Sequence, residues 1–436
     1  MLTAPALQEA RPMSRLQYTA IFVCFLMNML DGMDVMVISY TAPAIAKDWA
    51  RLGISLAATN LGLVFSMGLL GMAIGAMFLA AQADVIGRRR MILLSAVLMG
   101  SCVLATQYVQ SVPMLVLARF ISGLGIGSML ASTATMTAEY APARTKDFWV
   151  SFAMSGYPIG AVLSGMVAAR IIPVYGWQSM FLAAGVATLL TVPLSYFFLA
   201  ESLDFLLKSR PKNALVQANR ILHKMGEKPL PALPTVETSV TKAAVRALFV
   251  GHRRSATLLL WGALFMSFAT LYFLTMWIPK LASNAGLALN LAIYAGTVFN
   301  LGAFFGIISQ GYLSAQFGLK RVISGFLVAT ALLMTGFGWV NGSVWVLVFF
   351  GLIGFGVQGG FVGMYSLAAR LYPTRIRATG VGWAVGAGRI GAVVGPLVGG
   401  LLIGAGWPMS ASFVAFAVPA LIAALVTLFI RVPDQL

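Results

Sequence analysis

Twelve apolar runs follow one another along this 436-residue chain, each of roughly 20 residues or more, the length a helix needs to cross about 30 Å of hydrocarbon. They fall near 17–46, 57–81, 91–110, 112–138, 148–169, 177–200, 256–279, 289–314, 321–340, 343–369, 378–405 and 408–430. Inside hydrocarbon every backbone polar group must find its partner within the protein, so runs of this length read as spanning helices. The composition agrees: 60% of residues are hydrophobic and 9% charged, against about 25% charged in soluble domains. The expected class is an all-α integral membrane protein.

The chain also repeats itself. At an offset of 231 residues Gly87 matches Gly318, Arg89 Lys320, Arg90 Arg321, Gly123 Gly354, Gly125 Gly356, Pro142 Pro373, Arg144 Arg375 and Gly160 Gly391. Duplication of one helical bundle explains the pattern and predicts two pseudo-symmetric six-helix bundles. The buried charges do not follow the repeat. Asp31 is answered by Gly262, Asp34 by Phe265, Arg119 by Phe350, and Arg389 by Pro158. Charges that break a duplicated scaffold are the first candidates for function.

Loop charges orient the chain. With the N-terminus in the cytoplasm, the inner loops collect Arg88, Arg89, Arg90, Arg144, Lys146, Lys320, Arg321, Arg375, Arg377 and the basic stretch from Lys208 to Arg254. The outer loops hold Lys47, Arg51, Arg170 and Lys280. This is the positive-inside asymmetry, so the formal net charge of +17 has a topological cause, with both termini cytoplasmic in a cell inner membrane. Anionic lipid headgroups, not nucleic acid, are the expected partners of the basic face. The polar segment 201–255 divides the chain into an N-terminal bundle, 1–200, a cytoplasmic basic linker, and a C-terminal bundle, 256–436. Within it, Asn213 to Gly226 has the spacing of a short amphipathic helix before Pro229, Pro231 and Pro234 break the pattern.

Several classes drop away. Cys24 and Cys102 lie in apolar spans as small hydrophobes, and the two histidines, His223 and His252, lie in the linker, so neither a metal site nor a catalytic constellation is expected and the chain reads as no enzyme. Arg11 and Arg15 before the first apolar run imitate a secretory signal, but its length and its two aspartates argue for a retained helix.

Those aspartates are central. An ionised carboxylate at mid-membrane costs at least a few kcal/mol and normally faces a partner or a watery cavity. Asp31 and Asp34, three apart, share one helix face with about 4.5 Å of rise between them. Two carboxylates so close do not both ionise easily, so the pair can carry a proton; acids locked in fixed interhelical hydrogen bonds are the alternative. Arg119 and Arg389 are the buried cations. A guanidinium beside two acids suits either an internal ion pair or a substrate carboxylate. Arg389, within Gly386-Ala387-Gly388-Arg389-Ile390-Gly391, is assigned to the substrate, and Arg119, in the same half as the acids, to tuning their proton affinity.

The cytoplasmic loops carry Ala80-x-x-x-Asp84-Val85-Ile86-Gly87-Arg88-Arg89 and its counterpart Gly311-x-x-x-Ala315-Gln316-Phe317-Gly318-Leu319-Lys320-Arg321. They resemble the loop signature of the major facilitator superfamily. Arg119-x-x-x-Gly123-x-Gly125-x-Gly127 resembles the fourth-helix signature of its proton-coupled members, and Gly156-Tyr157-Pro158-Ile159-Gly160 their fifth helix. Leu30-Asp31-Gly32-Met33-Asp34 looks like the first-helix motif of the aromatic acid/proton symporters, with Met33 in the aromatic position. Arg377-Ala378-Thr379-Gly380-Val381-Gly382-Trp383 and the following Gly388-Arg389-Ile390-Gly391 are similar to that family's eleventh helix.

The resemblance implies the major facilitator fold and proton-driven import of benzoate- or hydroxybenzoate-like carboxylates by alternating access, with the proton as sole coupling agent, no cofactor, and a functional monomer. Asp31, Asp34 and Arg119 would couple the proton. Arg389 would take the carboxylate and Tyr40, Tyr157, Trp277, Tyr365 and Trp383 the ring. Asp84, Gly87, Arg88, Arg89, Glu139, Arg144, Arg370 and Arg377 would form the inner gate, with Glu139 and Arg370 closing as an ion pair. The residues alone leave other readings open: a proton antiporter exporting an organic anion or drug, a symporter for another small acid or a sugar, and a receptor that binds without moving its ligand.

Overall fold

The computed structural model describes residues 13–142, 145–233, 245–249, 253–284, 286–337, 343–372 and 376–430. Twelve helices among them are long and apolar enough to cross a membrane. In chain order the helices are α1 (Arg15–Arg51), α2 (Ala58–Ile74), α3 (Ala80–Ile86), α4 (Arg88–Thr106), α5 (Val112–Tyr140), α6 (Lys146–Met154), α7 (Gly156–Tyr175) and α8 (Trp177–Phe198) in the first half. The linker supplies α9 (Leu203–Ser209) and α10 (Ala214–Met225). The second half contains α11 (Arg253–Asn284), α12 (Leu289–Phe317), α13 (Leu319–Gly336), α14 (Ser343–Leu371), α15 (Arg377–Gly404) and α16 (Met409–Phe429). The second span runs from α2 through a π-helical turn, Gly75–Leu79, into α3, and the fifth combines α6 with α7.

The sequence repeat is a repeat of contacts. A Cβ at Gly71 would collide with the carbonyl of Phe120, and one at Gly302 with that of Gly351; Gly75 abuts Leu124 as Gly306 abuts Phe355, and Gly123 abuts Gly68 as Gly354 abuts Phe299. Each contact pair reappears 231 residues on. Small residues let membrane helices approach to backbone contact, where close packing replaces the hydrophobic force that lipid does not supply. The π turn at Gly75 has no counterpart at Gly306, so duplication fails there. Gly87 and Gly318 are also equivalent. Each alone turns one helix into the next at φ of 105° and 85°, backbone that favours glycine.

The amphipathic helix expected over 213–226 is α10. It buries Ala214, Ala218, Ile221 and Leu222 at helical spacing, leaves Gln217 and Arg220 exposed, and packs on α9 and α1.

The halves meet at the end of the molecule away from the linker. Ser39 Oγ donates to the carbonyls of Thr275 and Met276 at 3.1 and 2.9 Å, and Ser66 Oγ to that of Val393 at 2.7 Å. Phe65 stands edge-on to Trp277, and Gly62 lies against Pro396 and Gly400. The face of α15 that makes these contacts continues toward the linker through Arg389 to Gly386 and Gly382. A Cβ at either glycine would meet nothing within 4 Å. The interface is therefore sealed at the far end and parted toward the linker.

Candidate functional site

Where the seal ends and the gap begins, the four unduplicated charges come together. Asp31 and Asp34 on α1 are completely buried, and Arg119 on α5 nearly so. Arg119 Nη1 stands 3.6 Å from Asp34 Oδ1, an ion pair longer than a hydrogen bond, and its Nη2 donates to the backbone carbonyl of Asp34 at 3.4 Å. The guanidinium lies alongside Gly68 on α2, at ordinary van der Waals distance from where a Cβ would stand. Asp31 has no hydrogen-bond partner among the described residues; its charged neighbours are Asp34 and, across the interface, Arg389 on α15. Arg389 is half-buried and shares its surroundings with Tyr272 on α11 and Tyr365 on α14. Tyr157 on α7 completes the ring of groups, within electrostatic reach of Asp31 and Tyr272.

An apolar shelf backs these tyrosines. Phe268 stacks on Tyr272, with centroids 6.0 Å apart and planes 5° apart, and meets Phe361 edge-on at 4.7 Å; Phe361 in turn meets Tyr365 edge-on at 5.3 Å. Glycines beside Arg389 make this possible. A Cβ at Gly388 would run into the Phe268 ring, and one at Gly391 into the Phe265 carbonyl, so these glycines admit α11, while Gly386 faces open space.

Of the five aromatic candidates, Tyr157 and Tyr365 lie at this centre. Tyr40 and Trp277 lie elsewhere: the Tyr40 hydroxyl donates to the Ala161 carbonyl at 2.9 Å, the Trp277 indole to the Pro396 carbonyl at 3.0 Å, and both rings are closed inside the far-end seal. Trp383 is exposed and stacks on Trp261, which also meets Phe249 of the linker, on the opposite side of Arg389 from the seal. Tyr272 was not singled out from sequence. Its signal was faint, one hydroxyl-bearing ring in the run Leu271-Tyr272-Phe273-Leu274.

Four of the gating candidates, Gly87, Arg88, Arg89 and Glu139, form a cluster within the first half. Arg88 pairs with Glu139, whose carboxylate also accepts from Ser202 Oγ. Arg89 donates its backbone N–H to Glu201 Oε1 at 2.9 Å and a guanidinium N–H to the Tyr196 carbonyl, and its charge lies 5.0 Å above the Tyr196 ring. Gly87 leaves no room for a Cβ beside the Glu201 carboxylate. The cluster ties α4, α5 and α8 to the start of the linker. Arg370 is exposed at the end of α14, and the ion pairs recorded among the described residues both lie in the first half, so Glu139 does not meet Arg370 in this conformation. Asp84 is in α3 and Arg377 begins α15, with side chains outside the described set; Arg144 lies outside the described residues altogether. Glu201, central to the cluster, stands just past the sixth span, where the sequence offers no gating signal.

The Major Facilitator Superfamily model matches residues 24–310 and 281–436. The 4-hydroxybenzoate transporter PcaK of Acinetobacter baylyi is 33% identical over 438 residues, covering 99% of this chain and 94% of that protein. The gallate transporter of Pseudomonas putida is 32% identical, covering 96% and 93%. Among solved structures, the inward open conformation of the xylose transporter XylE from E. coli superposes with a TM-score of 0.73 at 19% identity, covering 96% of this chain and 97% of that one.

Proposed function

Because the chain belongs to the major facilitator superfamily, we propose that it imports aromatic carboxylic acids of the benzoate and hydroxybenzoate kind together with protons, by alternating access. The observation that carries this reading is the opposition of Asp31 and Arg389 across the two halves, with Tyr157, Tyr272 and Tyr365 around them. Relatives named for 4-hydroxybenzoate, gallate and benzoate support the substrate class.

In this reading Arg389 forks onto the carboxylate and the ring slots beside Tyr272 on the Phe268–Phe361 shelf. Charge balance then supplies the coupling. Asp31, Asp34, Arg119 and Arg389 sum to zero, and an arriving carboxylate adds one negative charge. Enclosing an uncompensated charge in a poorly solvated site costs at least a few kcal/mol. One proton on Asp31, the acid without an ion-pair partner among the described residues, restores neutrality and lowers the barrier to closing the halves around the substrate. Asp34, held by Arg119, stays ionised. The proton is the coupling agent, no cofactor takes part, and the substrate leaves chemically unchanged.

The basic, parted end is assigned to the cytoplasm and both termini with it, in an inner membrane, making this the inward-facing state. In the outward-facing state Glu139 would exchange Arg88 for Arg370 as the gap closes. Anionic lipid is proposed for a groove of about 440 Å³ lined by Arg15, Arg89, Lys224, Tyr196 and Phe198; Arg15→Ala with Lys224→Ala should weaken phosphatidylglycerol retention in native mass spectrometry. A single chain completes the site, so mixing in an inactive variant should leave each wild-type copy active.

The test of the whole reading is uptake of labelled 4-hydroxybenzoate by purified protein in liposomes. Accumulation under an inward proton gradient, abolished by a protonophore, is expected. Binding without flux would replace the carrier by a receptor, and proton-driven efflux would replace import by export.

A further inference from the structure

Behind the aspartates, the first half contains a line of polar side chains that substrate binding does not use. On α1 it runs Asp31, Asn28, Cys24, Gln17; on the antiparallel α5 it runs Thr133, Thr137, Tyr140. Asn28 Nδ2 lies 3.3 Å from Thr133 Oγ1, the Cys24 thiol lies beside Thr137, and Gln17 Nε2 donates to the Tyr140 carbonyl at 2.9 Å. The Tyr140 hydroxyl donates to the Glu201 carbonyl at 2.8 Å, and there the line meets the cluster of Arg88, Arg89, Glu139 and Glu201. From Asp31 to Gln17 the helix rises about 21 Å, most of the hydrocarbon half-way to the linker face and beyond.

Two atoms on this line have no nitrogen or oxygen hydrogen-bond partner among the described residues: Asn28 Oδ1, and Thr137 Oγ1, which has the weakly bonding Cys24 thiol beside it. Both residues are 1% exposed or less. Ordinary packing would favour apolar side chains here, because an unpaired buried polar group costs about 1–3 kcal/mol. Polar atoms in this setting fit ordered water, which takes up to four hydrogen bonds and passes protons along a file.

We propose that the α1–α5 seam is a proton path from the Asp31/Asp34 pair to the linker-end cluster, so that proton and substrate leave by different routes. The O–H bond of the protonated aspartate breaks toward a water held by Asn28 and Thr133. A proton is handed on past Thr137 and Tyr140, and one emerges at the Glu139–Glu201 carboxylates, leaving Asp31 a carboxylate facing Arg389. The groups around the acids from other helices are Arg119 on α5, Arg389 on α15, Cys102 on α4, Tyr157 on α7 and Tyr272 on α11. None but Arg119 shares a helix with the seam. The inference rests on the proton-coupled reading above.

The test compares wild type, Thr137→Val and Asn28→Leu in liposomes carrying an internal pH dye, with labelled 4-hydroxybenzoate. Each protein is assayed for counterflow without a gradient and for uptake driven by an inward proton gradient. Both variants should keep counterflow within about twofold and lose gradient-driven accumulation and dye acidification on the order of a hundredfold or more, the scale of a lost proton-transfer step. Thr137→Val, isosteric and relieved of an unpaired hydroxyl, should keep or raise the melting temperature. Coupling equal to wild type in both variants overturns the path, as does loss of counterflow and coupled uptake in the same proportion. Wild-type uptake indifferent to protons would overturn the proton-coupled reading itself, and the path with it.

Discussion

Arg119 reaches Asp34 at two points, 3.6 Å from its carboxylate and 3.4 Å from its backbone carbonyl, while Asp31, one turn back on the same helix, has no ion-pair partner among the described residues. The two acids are therefore not equivalent. One is paired within its own half, and the other has, among the described residues, Arg389 across the interface as its neighbouring cation. In the proposed cycle this asymmetry would put the proton on Asp31 and keep Asp34 as a structural charge.

Removing Arg119 should damage the fold before it damages coupling. Arg119→Ala leaves Asp34 a buried, unpaired carboxylate, a loss of about 3–5 kcal/mol for a broken buried pair. A melting temperature well below wild type in detergent is expected, with partial recovery in the Arg119→Ala, Asp34→Asn double variant. A melting temperature unchanged in Arg119→Ala would remove the ion pair from the argument.

Asp31→Asn imitates the protonated acid. The variant should exchange labelled for unlabelled substrate at a rate independent of pH, yet fail to accumulate substrate under a proton gradient. Gradient-driven accumulation at the wild-type level would move the proton site elsewhere.

Arg389→Gln should raise the half-saturating concentration of 4-hydroxybenzoate by roughly ten- to a hundredfold, the equivalent of a lost charge-assisted hydrogen bond of about 1.5–3 kcal/mol. The neutral 4-hydroxybenzamide should then compete as well as the acid. Preference for the acid surviving intact in this variant would take the carboxylate off Arg389.

Charge balance in the site predicts one proton per carboxylate and hence no net charge moved. Uptake should respond to a pH gradient and ignore a potassium-diffusion potential imposed at equal pH. A robust response to potential alone would mean a second proton.

At the far end, Gly62→Leu should wedge the halves apart, since even a Cβ would stand 2.9 Å from the Pro396 carbonyl. Transport should fall, and a cysteine placed at Ser39, now buried in the seal, should react faster with a membrane-impermeant maleimide. Unaltered labelling would show that this contact does not hold the seal.

Much of this was written in the chain. Twelve spans follow from apolarity and length, which act locally, and the duplication from a repeated register of small residues; the structure returns the same register as glycine–carbonyl contacts in both halves. Asp31, Asp34, Arg119 and Arg389 stood out because an ionised group in hydrocarbon is expensive wherever the helices pack. What could not be read was which way a helix faces. A span apolar on every side offers no stripe, so sequence favours Trp277 for the ring and leaves Tyr272, five residues away on α11, unmarked; packing of the two halves sends Tyr272 toward Arg389 and seals Trp277 against α15. The same holds for Glu139, whose choice of Arg88 over Arg370 depends on the separation of the halves at the linker end. Local chemistry, summed along the chain, determined the helices and the charges that must be satisfied; relative rotation of helices and halves, a property of contacts distant in sequence, decided which groups meet.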